Sequence, residues 1–539
     1  MTDVRICESP IVRTEDGRIR GRTFRFDGHS AASFLGIPFA KPPVAELRFQ
    51  KPQPVERWGR QLRECTQFGG SCPLIDTPGS EHLIQIPQSE ANCLCLNVFA
   101  PVDHKNKFKS KLPVLFYVHG GGFVIGNSAH AGDLTILRFL CAEDVVVVTT
   151  NYRLGLFGFL STGDEHAVGN YGLWDQTAAL RWVKRNIEQF GGDRENVTVA
   201  GHSAGGVSAD LLALSPHSRD LFHKVAPLAG ASFSTWATST PRQIRSKALA
   251  FAKMRGFPPA AQWSAAETNR RLVAFLRSLP ADLLAVRFIG MPLPGFDRDA
   301  LGMHVSPVID GDFFPRPLEQ LRREAPKKPV LTGVTRFEGL IFSVLGEQLE
   351  AAARQFVRAQ NGRRLTEAEI TPILERFVPP HGSPSERVKA MLHLISDAFI
   401  SYGLWQTASE YARNGNDVFL YTFDYVRKGG AGPMGRLYPF EASCHGTEMP
   451  YLFGCTPLLD FKLTPKDERL RRRFTAISRF STSSNPNGRS ASPKWAPLFA
   501  DRPLRHLVVR LEEDELRDDF CDGRPLEFQQ AFPSAQSKL

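Results

Sequence analysis

No apolar run in this sequence approaches the roughly 20 residues that a membrane-spanning helix needs, so a helical membrane span is excluded. The first residues, MTDVRICESPIVRTEDGRIRG, lack a basic stretch followed by an apolar one, so no secretory signal is expected. Cysteine is sparse, nine in 539 residues, and no pair has zinc-finger spacing. An odd count in a chain without an export signal predicts mostly free thiols and no metal site. Cys93-Leu94-Cys95 reads as two positions on one face of a strand rather than as metal ligands. Charge of one sign is also scarce: 66 Lys and Arg against 56 Asp and Glu leave a formal net charge of +10. The densest basic stretches, His104–Lys111 and Arg469–Arg473, read as a solvated loop and a solvated helix face. Neither comes with a nucleic-acid motif, so nucleic acid is not an expected partner. There is no internal repeat, low-complexity tract or linker, which favours one large domain over residues 1–530. Residues 531–539 read as an exposed tail.

What is present is a β-rich apolar framework. Leu112 to Val118, Val145 to Thr150 and Val197 to Ala200 are continuous apolar runs rich in β-formers, and they read as buried strands. Between the last two, Asp175 to Phe190 places Ala179, Trp182, Val183, Ile187 and Phe190 at helical spacing, and Gly191-Gly192 ends that helix. Val330 to Val334 and Val418 to Thr422 read as later strands of the same sheet. The alternation predicts an α/β fold, a mostly parallel central sheet with helices on both faces. Residues from about Pro258 to Asp299 and from Gln348 to Val388 are helix-rich and interrupted by proline, as a cap over the sheet would be.

The strongest chemical signal is Gly201-His202-Ser203-Ala204-Gly205-Gly206. It fits G-x-S-x-G directly after a strand. A serine hydroxyl projects there from a sharp strand-to-helix turn, and the glycines leave room for the backbone. The following helix offers N–H groups to a developing anion. Upstream, His119-Gly120-Gly121-Gly122-Phe123 also follows a strand and matches an oxyanion loop. The expected donors are the N–H groups of Gly121, Gly122 and Ala204.

With these landmarks in order, the chain resembles the type-B carboxylesterase/cholinesterase-like branch of the α/β-hydrolases. The similarity runs from about Val12 to about Trp495. It takes in Phe34–Ala40, Leu47-Arg48-Phe49, Ser89-Glu90, Asn151-Tyr152-Arg153, Asp175-Gln176 and Asn485-Pro486-Asn487. The resemblance implies the rest of a triad: Glu338, in Thr335-Arg336-Phe337-Glu338-Gly339, as the acid, and His445, in His445-Gly446-Thr447-Glu448, as the base. Ser203, Glu338 and His445 would then hydrolyse carboxylic esters through an acyl-enzyme, with no metal or organic cofactor. A thioesterase or lipase with the same triad is the rival reading. The family also holds non-catalytic adhesion proteins, which have lost the serine that this chain keeps. His119 and His202 are read as support for the site, and His202 stands where much of the family has glutamate.

Departures from the family pattern bear on the substrate. The resemblance matches Cys72–Cys93 to the loop that in cholinesterases carries a choline-binding tryptophan. Here that loop holds no Phe, Trp or Tyr, so choline esters are not expected substrates. Trp236 falls where the family often lines the acyl pocket. By the same resemblance Cys93 pairs with Cys72 in secreted relatives, with Cys65 a weaker candidate. Without an export signal, Cys72 and Cys93 are expected close together but reduced. Asn196-Val197-Thr198 is the only glycosylation triplet and is expected to be buried. The chain ends in Ser537-Lys538-Leu539, an address read by the peroxisomal import receptor. That predicts a peroxisomal protein, with the cytoplasm as the alternative, and points to lipid-derived esters.

Overall fold

Continuous apolar runs of β-branched and aromatic residues read as strands buried on both faces. In the computed structural model, which describes residues 4–74, 86–130, 132–285, 305–360, 365–429, 432–454, 463–487, 494–499 and 501–532, these segments build one sheet. Its strands in chain order are β1 (Arg5–Glu8), β2 (Arg22–Phe26), β3 (His29–Pro38), β4 (Cys95–Pro101), β5 (Leu112–Val118) and β6 (Val146–Thr150). There follow β7 (Gly192–His202), β8 (Lys224–Leu228), β9 (Val330–Thr335), β10 (Val418–Phe423), β11 (His506–Val509) and β12 (Glu515–Arg517). Their spatial order is β1-β2-β3-β4-β6-β5-β7-β8-β9-β10-β11-β12. The ladder from β6 to β11 is parallel, with antiparallel strands at both edges. Along β5, Phe116 faces one apolar layer while Leu115 and Tyr117 face the other. Both faces are therefore covered, as expected.

The expected helix is α1 (Tyr171–Asn186), which starts ahead of Asp175, passes into a 3-10 turn at Ile187–Phe190 and stops at Gly191 with φ 81°. α2 (Ala204–Leu214) follows β7. The helix-rich regions expected as a cap hold α4 (Ala265–Ser278), α5 (Leu349–Arg358), α6 (Glu367–Phe377) and the start of α7 (Pro384–Ser396), and α3 (Pro241–Met254) precedes them outside the expected bounds. Side-chain caps start several of them. Thr240 with Gln243, Thr366 with Glu369 and Ser383 with Glu386 form capping boxes. Such a cap contributes about 1 kcal/mol. The chain continues from α7 through a π-helical turn, Asp397–Ser401, into α8 (Tyr402–Arg413). The cap expected to reach Asp299 runs past the described residues at 286.

Buried ion pairs pin the loops above the sheet. Arg153 donates from Nε and Nη2 to Asp175 at 2.8 Å each, fixing the chain after β6 to α1. Arg48 grips Glu90 and also donates to the carbonyls of Arg277 and Leu279 at the end of α4. Removing one partner of such a pair costs about 3–5 kcal/mol, because the other charge stays buried.

Three expectations are corrected. Cys93 is not on a strand with Cys95: it follows a 3-10 turn at Glu90–Asn92 with φ −96° and ψ −23°, and only Cys95 begins β4. Cys72 and Cys93 are not separate thiols but a disulfide with Cα atoms 4.8 Å apart. Reciprocal backbone hydrogen bonds hold the two approaches together, Ser89 N to Ser71 O at 2.9 Å and Ser71 N to Pro87 O at 3.0 Å. Arg469–Arg473 is not simply a solvated face. Arg471 lies 4.2 Å over the ring of Phe139, and Arg473 donates to the carbonyls of Leu511 and Glu512 at 2.9 Å. Asn196 of the glycosylation triplet is half-buried and accepts from Lys224.

Candidate active site

β7 ends at His202, and Ser203 turns the chain into α2 with φ 60° and ψ −123°. Serine occupies that conformation at a cost of about 1–3 kcal/mol, which the surrounding fold supplies. The neighbours must be small. A Cβ on Gly205 would stand 2.1 Å from the carbonyl oxygen of Val118, and one on Gly201 would stand 2.2 Å from that of Gly205. Ser203 N donates to Leu228 O at 2.8 Å, which ties the turn to β8. Ala204 heads α2, where an N–H has no partner within the helix.

The glycine loop leaves the end of β5 beside this turn. Gly121 has φ 108°, and its carbonyl accepts from Val124 N and Ile125 N at 3.0 Å each, so the loop rolls back on itself. A Cβ on Gly121 would meet Ile125 O at 2.2 Å, and one on Gly120 would come 3.1 Å from Ser203 Cβ. Among the described residues, no carbonyl takes the N–H of Gly121 or Gly122. His119 supports the loop: its Nδ1 lies 2.8 Å from Gly120 O, and its ring stacks on Tyr152 at 4.5 Å. Burial pushes its pKa down to about 3, so it stays neutral.

Glu338 and His445 are brought together by a zipper of backbone contacts. Phe337 bridges to Cys444, and Phe337 N donates to Ser443 O at 2.9 Å. His445 Nδ1 then lies 2.6 Å from Glu338 Oε2, which leaves Nε2 as the free ring nitrogen. The other carboxylate oxygen accepts from Thr335 N at 2.6 Å and Thr335 Oγ1 at 3.0 Å. Burial alone would raise the pKa of Glu338. The hydrogen bond and charge of His445, with the Thr335 N–H, outweigh it and hold the carboxyl below its ordinary value.

All these groups stand beyond the carboxyl ends of parallel strands, β5, β7, β9 and β10. That is where open α/β sheets place their sites. A buried strand-to-helix serine, a carboxylate-oriented imidazole and a loop of free N–H groups can together carry acyl transfer. A model of the carboxylesterase family matches residues 8–523.

The chain belongs to the carboxylesterase family.

It is a serine-type hydrolase of carboxylic esters by that membership. It is 37% identical to esterase cest-33 of Caenorhabditis elegans over 94% of this chain and 91% of that one. It is 32% identical to the medium-chain fatty acyl-CoA hydrolase precursor of Anas platyrhynchos, over 94% and 90% of the two chains. It is 30% identical to the cholinesterase of Mus musculus, over 94% and 84%.

Several residues of this carboxylesterase escaped the sequence reading. Trp236 was singled out, and its Nε1 donates to Phe399 O at 2.7 Å while the two rings stack at 5.4 Å. Phe399 itself was missed. It sits in the π-helical turn, 5.0 Å from Phe342 and 6.0 Å from the ring of His445. Phe123, 6.2 Å from Trp236, completes the cluster. Nothing in the string SDAFIS separates Phe399 from an ordinary core residue. Glu448 did carry a signal, because it closes the His-Gly-x-Glu motif. It is fully buried, with Oε1 3.3 Å from His202 Nε2.

Proposed function

We propose that Ser203, His445 and Glu338 are the catalytic triad of an esterase for lipid-derived esters with neutral alcohol groups. The observation that carries this reading is the 2.6 Å contact of His445 Nδ1 with the buried Glu338 carboxylate, beside the strained Ser203 turn. His445 Nε2 takes the Ser203 proton as Oγ attacks the ester carbonyl, and the same nitrogen returns it to the departing alkoxide. The oxyanion is met by the N–H groups of Gly121, Gly122 and Ala204, each contributing about 3–4 kcal/mol to the transition state. Water then repeats the sequence on the acyl-enzyme. Glu338 stays ionised throughout and supports the charged imidazole.

The substrate class rests on the walls. Phe123, Trp236, Phe342 and Phe399 present buried aromatic surface on the His445 side, which favours an apolar acyl group. The Cys72–Cys93 loop has no aromatic residue to hold a quaternary ammonium. An acyl thioester is the second reading, favoured by the name of the Anas platyrhynchos relative and by a net charge of +10 that suits an anionic carrier. Ser537-Lys538-Leu539 supports delivery to the peroxisome by its import receptor; the tripeptide lies outside the described residues.

Hydrolysis of acyl esters and acyl thioesters of rising chain length, wild type against Ser203→Ala, tests the proposal. Ser203→Ala is expected to lose about 10⁶-fold in kcat. Full activity in that variant, or failure of a serine-directed phosphonate to label the wild type, would overturn it.

A further inference from the structure

Behind the imidazole of His445 lies a second acid and a second base that the mechanism above does not use. His202 precedes the nucleophile, and its ring packs 4.5 Å from that of His445. Its Nε2 stands 3.3 Å from Glu448 Oε1, close enough for an ion pair, yet the angles do not make a hydrogen bond. Among the described residues, neither Nε2 of His202 nor either oxygen of Glu448 has a hydrogen-bond partner, although all three atoms are buried. The N–H groups of Gly446 and Glu448 face the carboxyl without reaching it in hydrogen-bond geometry. Orphaned polar atoms this deep cost about 1–3 kcal/mol each, so such a pair persists only where it has a use.

The charges around the pair decide its protonation. Glu448 is faced by His445 and Cys444 on its own loop, by Glu338 beyond β9, by Tyr421 on β10, and by His202 at the end of β7. The Tyr421 hydroxyl is itself unpartnered. Glu338 is already ionised next door, and two carboxylates at one site do not both ionise readily. Burial first, and the Glu338 charge second, push Glu448 up to about 8. Burial pushes His202 down to about 3. Both are uncharged near neutrality.

We propose, resting on the triad assignment above, that neutral His202 and a Glu448 that keeps its proton act as a positioning pair that backs the His445 ring and keeps the region behind the oxyanion free of charge. A neutral pair adds no charge that competes with the N–H groups of Gly121, Gly122 and Ala204 for the developing anion. Ionised, Glu448 would add a negative charge on the same side and oppose it.

The test compares Glu448→Gln, Glu448→Ala and His202→Ala with wild type. Glutamine keeps a donor toward His202 but cannot ionise. Wild-type kcat/KM is expected to fall about tenfold per pH unit above about pH 8, and Glu448→Gln to lack that fall. Glu448→Ala is expected to lose at least tenfold more activity than Glu448→Gln at neutral pH, with endpoint phosphonate labelling of Ser203 intact. Independently of activity, the infrared band of a protonated carboxylic acid in wild type is expected to vanish in Glu448→Gln. Identical alkaline limbs in wild type and Glu448→Gln, or an infrared spectrum that does not change, would overturn the pair. An inactive wild type that keeps the infrared band would count against the triad reading and not against the pair.

Discussion

Glu338 and Glu448 are both fully buried beside the same imidazole, and their surroundings push them in opposite directions. Glu338 receives three hydrogen bonds and stays charged, whereas Glu448 receives none and keeps its proton. This difference makes stability depend on pH with a definite sign. Below the ordinary carboxyl value of 4.5, Glu448 holds its proton folded and unfolded alike, and contributes no slope. From there up to about 8 the unfolded chain releases the proton and the folded chain retains it, so stability falls as pH rises. Glutamine has no such proton. The Tm of Glu448→Gln relative to wild type is therefore expected to increase between about pH 5 and pH 8, as followed by thermal melts; a constant difference would refute the assignment. At this scale the Ser203 turn was legible from its own motif, whereas Glu338 and His445 of the proposed triad were reached through the resemblance to the family. Glu448 was visible in the motif of His445, yet its role was not. A carboxyl's protonation depends on what surrounds it in space, and Glu338 is more than a hundred positions away in the chain.

At the scale of elements, four of the central strands, β5, β6, β9 and β10, were legible to within a residue at each end, whereas the edge strands were not singled out. Leu112–Val118 is bounded as its apolar run suggested, because a strand buried on both faces tolerates no polar position. β7 runs back to Gly192 rather than Val197 through the polar residues Asp193–Asn196, and its register on β5 shifts between Gly192 and Val197. That extension is paid in backbone pairing, which leaves no trace in hydropathy. The π-helical turn was not legible either. Asp397–Ser401 lies between two ordinary helices without a proline or glycine to mark it, and π-turns of this kind cluster at functional sites. Here the turn aims Phe399 between Trp236, Phe342 and His445, and its own carbonyl receives the Trp236 N–H. On the proposed reading, Phe399 limits the depth of the acyl side. Phe399→Ala is expected to shift the chain-length optimum upward, with the ratio of long-chain to short-chain kcat/KM rising about tenfold, the scale on which apolar pockets discriminate. The same truncation should cost about 3–5 kcal/mol of stability through the cavity it leaves. A loss of stability without any change in chain-length preference would make Phe399 a packing residue only.

At the scale of the whole molecule, the sheet ends carry the chemistry and the last helix helps to hold it. The helix Arg524–Ala531 sets Phe528 against Tyr402 at 4.9 Å and Phe377 at 5.8 Å. Arg524 Nε donates to Asp397, at the start of the π-helical turn, at 2.7 Å. A truncation reaching this helix would loosen the turn that aims Phe399, and would change catalysis for a structural reason. The tripeptide Ser537-Lys538-Leu539 lies beyond the last residue of that helix and beyond the 8–523 span that matches the family. The proposed address can therefore be tested separately from catalysis. Deleting only these three residues is expected to leave kcat and KM on every ester unchanged and to move the protein from peroxisomes to the cytosol, as read by fluorescence of an N-terminal fusion. Import that persists after the deletion would refute the tripeptide as the address. Altered kinetics in the shortened chain would show instead that the tail reaches back to the site, a contact that the packing of Phe528 and Arg524 gives no reason to expect.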